Sequence, residues 1–206
     1  MSSTLNGKTF IFLGSSVTYG SANGGISFCE YIAERNKCIC KKYAVSGTTL
    51  ADNGEGSYVQ RMNAFVKENS DCDHFICQLS TNDAWQNKPL GKISDSFERD
   101  SFDAHTVTGA IEYIIALAKE TWNCPVSFYI NPKYDSAAYQ SMVDRLYELQ
   151  KKWGFGILDF WNDEEANRLD KAQYAKYMND PVHPTGAGYL EWWTPKFEEY
   201  LIAFIE

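Results

Sequence analysis

The sequence predicts an α/β domain on a five-stranded parallel sheet, with helices on both faces to give a three-layer α/β/α arrangement. Short apolar runs alternate with longer stretches of helical period, the runs are too short for buried helices, and several are followed at once by Gly, Ser or Asn. The runs are Thr9 to Leu13, Cys40 to Val45, His74 to Leu79, Pro125 to Ile130 and Gly156 to Phe160. Between them Ser27 to Arg35 and Tyr58 to Lys67 read as short helices. Two longer stripes, Val107, Ala110, Ile111, Ile114, Ala118 and Met142, Leu146, Leu149, Trp153, repeat apolar residues every three or four positions and so define one buried helix face each. A last stripe, Leu190, Trp193, Phe197, Leu201 and Ile205, is predicted to pack inward on the sheet.

At 206 residues, 44% hydrophobic and 22% charged, the chain has the composition of one globular domain spanning residues 1–206. It carries no repeat, low-complexity tract or Pro/Ser-rich linker. The one aperiodic stretch, Ala84 to Asp103, follows the third predicted strand and contains Pro89 and Gly91. It reads equally as a lid or functional loop and as a solvated surface excursion.

Lys and Arg total 19 against 27 Asp and Glu, a net charge of −8. No basic footprint exists for counterion release, which argues against nucleic acid and anionic membranes as partners. The early apolar run Phe10 to Leu13 is far too short for a signal segment or a membrane span, so the reading is cytoplasmic. The apolar stripes do not distinguish interface from core, and a homodimer stays open. The six cysteines, at 29, 38, 40, 72, 77 and 124, form no C-x-x-C pair and read as reduced thiols. Asp71-Cys72-Asp73-His74 leads directly into an apolar run and reads as a polar strand entrance rather than a metal site. No metal or cofactor is expected.

In parallel sheets ligands bind beyond the carboxyl ends of the strands. Three strand-end turns are unusual: Gly14-Ser15-Ser16-Val17-Thr18-Tyr19-Gly20, Ser46-Gly47-Thr48-Thr49 and Ser80-Thr81-Asn82-Asp83; late in the chain stands Asp180-Pro181-Val182-His183. A serine hydroxyl attacks well only when a base takes its proton, an acid fixes the base's tautomer, and preorganised donors receive the oxyanion. These segments hold all the parts. Ser16 on a tight strand-to-helix turn is the candidate nucleophile, His183 the base, and Asp180, three residues earlier, the orienting carboxylate. The Ser16 N–H, the Gly47 N–H and the Asn82 amide are the candidate oxyanion donors.

These four segments resemble the blocks of the SGNH, or GDSL-like, hydrolases. The first block, G-D-S-x-T-x-G, matches Gly14 to Gly20 with Ser16 as nucleophile; the second places its Gly on Gly47; the third, G-x-N-D, matches Ser80 to Asp83; the last, D-x-x-H, matches Asp180 and His183. The resemblance spans Phe10 to Gly188 and implies a flavodoxin-like α/β/α fold and a metal-independent serine esterase or acylhydrolase. Ser15 and Ser80 depart from it, standing where the family usually has Asp and Gly. By register Ser15 is a polar neighbour of the nucleophile.

Three weaker positions, Tyr19, Trp85 and Asn131, follow site segments and are candidate substrate contacts, as are Lys133 and Tyr134. His74 and His105, at a strand and a helix entrance, read as structural. Two rival readings remain: a flavodoxin-like phosphate or flavin binder using the Gly14 to Gly20 loop, and a non-catalytic carbohydrate-binding protein. The first lacks a phosphate-loop Lys and an intact G-x-G-x-x-G, and leaves Asp180 and His183 unexplained.

Overall fold

The computed structural model describes residues 3–54 and 56–205. Five strands, β1 (Thr9–Gly14), β2 (Ile39–Ala44), β3 (His74–Gln78), β4 (Val126–Ile130) and β5 (Gly156–Asp159), pair in parallel in the order β2-β1-β3-β4-β5. All five predicted runs are strands, displaced by at most one residue at their ends. The inner strands β1, β3 and β4 are buried on both sides, which is why they read as continuous apolar runs.

Side chains leave successive strand residues on opposite faces, and this alternation divides the core. Ile11, Leu13, Phe75, Cys77, Phe128 and Ile130 face one layer, with α3 (Tyr58–Phe65), α5 (Val107–Trp122) and α6 (Ala137–Trp153). Phe10, Phe12, Ile76 and Tyr129 face the other, with α2 (Phe28–Asn36) and α8 (Thr194–Ala203). Ser27, Ser57, Thr106 and Ser136 each cap the helix that follows by accepting a backbone N–H, and at α2 Glu30 completes a capping box. The short helices α1 (Ser16–Tyr19), α4 (Thr81–Trp85) and α7 (Lys171–Tyr177) had no apolar period to reveal them.

The C-terminal stripe differs from its prediction at one position. A π-helical turn, Gly188–Trp193, precedes α8 and widens the helix, so Tyr189 is fully buried and Leu190 is exposed. The inward set is Tyr189, Trp193, Phe197 and Leu201. Trp193 stacks on Phe160, and Phe28 stacks on Phe197 with ring centroids 3.9 Å apart.

The stretch Ala84 to Asp103 is neither a lid nor a loose excursion. Its Pro89 and Leu90 carbonyls accept the first N–H groups of α5, and Arg145 of α6 donates to the Gly91 carbonyl. Lys152 donates to the Ser94 and Ser96 carbonyls and to the buried Glu112 carboxylate, which also accepts the Ser94 N–H. The segment is thus strapped to α5 and α6, and only its start reaches the strand ends.

At the amino ends of the strands, Asp73 and His74 part company. Asp73 accepts the Thr9 N–H and pairs with Lys8, whereas His74 is buried with Nε2 2.7 Å from Ser127 Oγ. His105 is a loop histidine whose Nδ1 lies 2.8 Å from the Asp52 carbonyl. All six cysteines are free, with Cys72 and Cys124 sulfurs 3.7 Å apart. Among the described residues no helix is long and apolar enough to cross a membrane.

Burial pushes the His74 imidazole down to about 4 from its ordinary 6.5. Between those values the folded state binds fewer protons than the unfolded chain, so the stability that neutral His74 provides is present above pH 6.5 and lost as pH falls toward 4. Relative to His74→Gln, the wild type should lose roughly 3 kcal/mol of unfolding free energy over that window, at about 1.4 kcal/mol per pH unit. Urea melts at stepped pH measure this, and a constant difference would mean that the imidazole titrates freely.

Candidate active site

The chain leaves β1 for β2 on one side and returns past it to β3 on the other, so the carboxyl ends of β1 and β3 flank the point where the winding direction changes. Ser16 opens α1 after β1, and Asn82 lies in α4 after β3. Gly20 ends α1 after one turn in the left-handed conformation at φ 87°; a Cβ there would stand 2.4 Å from the Ile26 carbonyl. The loop therefore offers an anion one turn of helix and no long dipole.

Ser16 Oγ lies 2.7 Å from His183 Nε2, and His183 Nδ1 lies 3.0 and 2.9 Å from the two oxygens of Asp180. The D-P-V-H spacing has a local cause. Pro181 has no N–H, so the first donors after Asp180 are the N–H groups of Val182 and His183, and both bond Asp180 Oδ1, at 2.8 and 2.9 Å. Partial burial pushes the Asp180 carboxyl up, but those two N–H groups and His183 outweigh it and hold it below the usual carboxylate range. Asp180 is thus an anion that folds its own turn and fixes the imidazole.

The neighbouring Ser15 takes no part in this chain of contacts. It is fully buried, and its N–H donates to Gln78 Oε1, which also accepts from Thr18 Oγ1. The other departure, Ser80, caps α4 by accepting the Asn82 N–H and lies 3.3 Å from the Thr48 carbonyl. Its hydroxyl ties the β3 turn to the loop after β2.

Asn82 Nδ2 donates to the Thr48 carbonyl at 2.9 Å, which fixes the amide and leaves its second N–H available. Gly47, one residue before Thr48, adopts φ 80°, and its N–H bonds no protein acceptor among the described residues. Two side chains, the half-buried Arg61 and the buried Asp83, hold its loop. Arg61 donates to the Gly14 and Tyr43 carbonyls and to Thr48 Oγ1; Asp83 accepts the N–H groups of Leu50 and Ala51 at 2.7 and 3.0 Å.

Ser16, Asn82, Asp180 and His183 border one cleft of about 440 Å³, whose far wall is Trp85, Tyr134 and Asp135. A hydroxyl on a neutral, oriented imidazole at the edge of such a cleft can lose its proton as it attacks an electrophilic carbon. Three of the candidate substrate contacts lie elsewhere, Lys133 among them, which borders neighbouring hollows instead. Tyr19 does not border the cleft: its ring packs beside Gly25 with Lys42 Nζ 5.5 Å from its centroid. Asn131 is fully buried beneath it and acts on the histidine loop, donating from Nδ2 to the Val182 carbonyl at 3.1 Å. Asp135 and Thr81 border the cleft without having been singled out, and their place directly beyond β4 and β3 is the signal that finds them.

A family model described as GDSL-like Lipase/Acylhydrolase matches residues 12–190. The chain belongs to the GDSL-like lipase/acylhydrolase family. This GDSL-like protein shares its fold with solved structures of low sequence identity. One from Lactobacillus plantarum superposes with a TM-score of 0.79 at 19% identity, covering 96% of this chain and 98% of that one. A Bacteroides ovatus protein assigned by name to the GDSL-like lipases gives 0.68 at 15% identity, covering 95% and 98%. A Slackia heliotrinireducens protein assigned by name to the SGNH hydrolases gives 0.63 at 15%, covering 98% and 100%. No curated protein matches the GDSL-like chain.

Burial pushes Asp83 up to about 6 from its ordinary 3.8, against the pull of its two backbone donors. The folded state therefore holds a proton that the unfolded chain releases, and this contribution is full below pH 3.8 and lost as pH rises through 6, opposite in sign to His74. Replacing Asp83 by Asn should make unfolding free energy fall more steeply as pH drops from 6 to 4. Replacing it by Ala strands two buried N–H groups and should cost about 2–4 kcal/mol, with faster amide exchange at Leu50 and Ala51. Unchanged exchange at both would show that the loop is held without the carboxylate.

Proposed function

We propose that this protein is a serine ester hydrolase that removes short acyl groups, such as acetyl, from a small alcohol or carbohydrate through an acyl-enzyme on Ser16. The observation that carries the reading is the unbroken run of contacts from Ser16 Oγ through His183 to Asp180, opening on a cleft beside Asn82.

His183 Nε2 takes the Ser16 proton as Oγ attacks the ester carbonyl carbon, and Asp180 balances the imidazolium. The carbonyl oxygen becomes an oxyanion, received by the N–H groups of Ser16 and Gly47 and the free N–H of Asn82. Collapse breaks the bond to the alcohol oxygen, which leaves with the proton from His183. Water then repeats the cycle: it gives a proton to His183 as it attacks the acyl carbon, and the Ser16 oxygen recovers that proton when the acid departs. The short acyl group is supported by the modest cleft and by the strapping of Ala84 to Asp103 to the far helices, which holds all but the start of that segment away from the cleft.

Hydrolysis of p-nitrophenyl acetate, butyrate and octanoate tests the reading. Acetate should be preferred, Ser16→Ala and His183→Ala should each lose at least about 1,000-fold in kcat, and EDTA should have no effect. Asn82→Ala should lose about 100- to 1,000-fold, or roughly 3–4 kcal/mol of transition-state stabilisation. Turnover persisting in Ser16→Ala would remove Ser16 from the mechanism.

A further inference from the structure

The cleft at Ser16 does not end at its far wall. Tyr134 and Asp135 also border a second hollow of about 340 Å³, with Trp85, Asn87 and the start of α6 around it, and a third of about 480 Å³ that reaches Gln140 and Trp161. The three share their borders and make one groove leading away from the serine. We propose that this groove binds the alcohol portion of the substrate as a neutral, hydroxyl-rich ring, a glycosyl unit, with Trp85 as the stacking surface and Asp135 accepting ring hydroxyls. The inference rests on the reading that Ser16 attacks an ester and gives that ester its alcohol.

Three features select this chemistry. Trp85 is 73% exposed, an unusual state for the largest apolar side chain, and it stands where the first two hollows meet. Its flat face suits the apolar C–H face of a sugar ring, as aromatic walls with a few placed polar groups do in small-molecule sites. Beside it in the second hollow stand polar groups. Asn87, held in the left-handed region at φ 50°, Asp135 and Ser136 offer partners to hydroxyls, whereas an acyl chain there would bury its methylenes against groups that need hydrogen bonds. Charge disfavours an anion next to the serine: among the described residues no Lys or Arg borders the first two hollows, Asp135 and Asp180 both border the first, and Lys133 borders only the third. A phosphate or uronate in the first two hollows would meet carboxylates with no cation to offset them.

The test compares kcat/KM for a mono-acetylated methyl xyloside with that for p-nitrophenyl acetate, which lacks the sugar. The ratio of the two should fall at least about tenfold in Trp85→Ala and in Asp135→Asn. Ala138→Arg, which narrows the second hollow from α6, should lower it too. A ratio unchanged in all three variants, with the wild type active, overturns the groove assignment and leaves the esterase reading standing. If the wild type hydrolyses neither substrate, the esterase reading fails by itself. The groove is then decided by titrating xylobiose while following the Trp85 indole N–H resonance, identified by its loss in Trp85→Ala. A saturable shift supports the groove; no shift at millimolar sugar overturns it.

Discussion

The candidate site depends on three polar side chains, two buried and one half-buried, that hold strand ends where no regular structure does. Gln78, the last residue of β3, accepts from Ser15 N and Thr18 Oγ1 and so fixes the turn on which Ser16 sits. Arg61 reaches from α3 to the carbonyls of Gly14 and Tyr43, binding the ends of β1 and β2 to each other and to Thr48. Asp83 pins the loop after Gly47. Gln78 and Asp83 are buried and Arg61 is half-buried, so these bonds matter; a lost one would leave a charge or an amide desolvated and unpaired, which costs more than an ordinary hydrogen bond contributes. The same requirement makes the turns rigid, and the separations around Ser16 need rigidity more than they need strength.

The histidine arrives from the far end of the chain, 167 residues from Ser16, and its placement is a second problem solved by aromatic packing. Tyr189 donates from its hydroxyl to the Val17 carbonyl, coupling the π-helical turn after the histidine loop directly to α1. Tyr139 bridges the β3 and β4 ends by donating to the Leu79 carbonyl and accepting the Asn131 N–H; Asn131 in turn holds Val182. Tyr189 is anchored among Phe28 and Trp193, in the same cluster as Phe197. The core is thereby part of the site's geometry: two tyrosines present apolar rings to it and polar ends to the loops.

Much of this was legible in the chain. The inner strands are continuous apolar runs because both faces are covered, and α6 shows a clean stripe because one of its faces is not; α5 is buried nearly all round from Val107 to Ala118, so its stripe marks only part of what it buries. What escaped was set by geometry that composition does not encode. Leu190 and Tyr189 exchange places because a π-helical turn shifts the phase of a stripe that spacing alone would continue. Asn131 follows a strand end, as cleft residues do, yet its side chain turns beneath the histidine loop, where an unpaired carbonyl needs a donor. Tyr19 sits one turn from Ser16, and its ring finds a better surface on Gly25 and Lys42. The aperiodic Ala84 to Asp103 carries its order in backbone carbonyls that receive Lys152, Arg145 and the α5 N-terminus, and backbone carbonyls leave no trace in a sequence.

The two departures from the family blocks fit this polar scaffold. Ser15 is fully buried, as is Asp83, whose carboxyl burial pushes up to about 6. A carboxylate in place of Ser15 would be desolvated in the same way and its pKa raised. Serine keeps the position polar without that charge. At position 80 the hydroxyl caps α4 and approaches Thr48, the residue whose carbonyl holds the Asn82 amide. Glycine would leave the N-terminus of that five-residue helix uncapped. The substitution therefore falls where an added hydroxyl has both a donor and an acceptor within reach, and it stiffens the turn that carries Asn82.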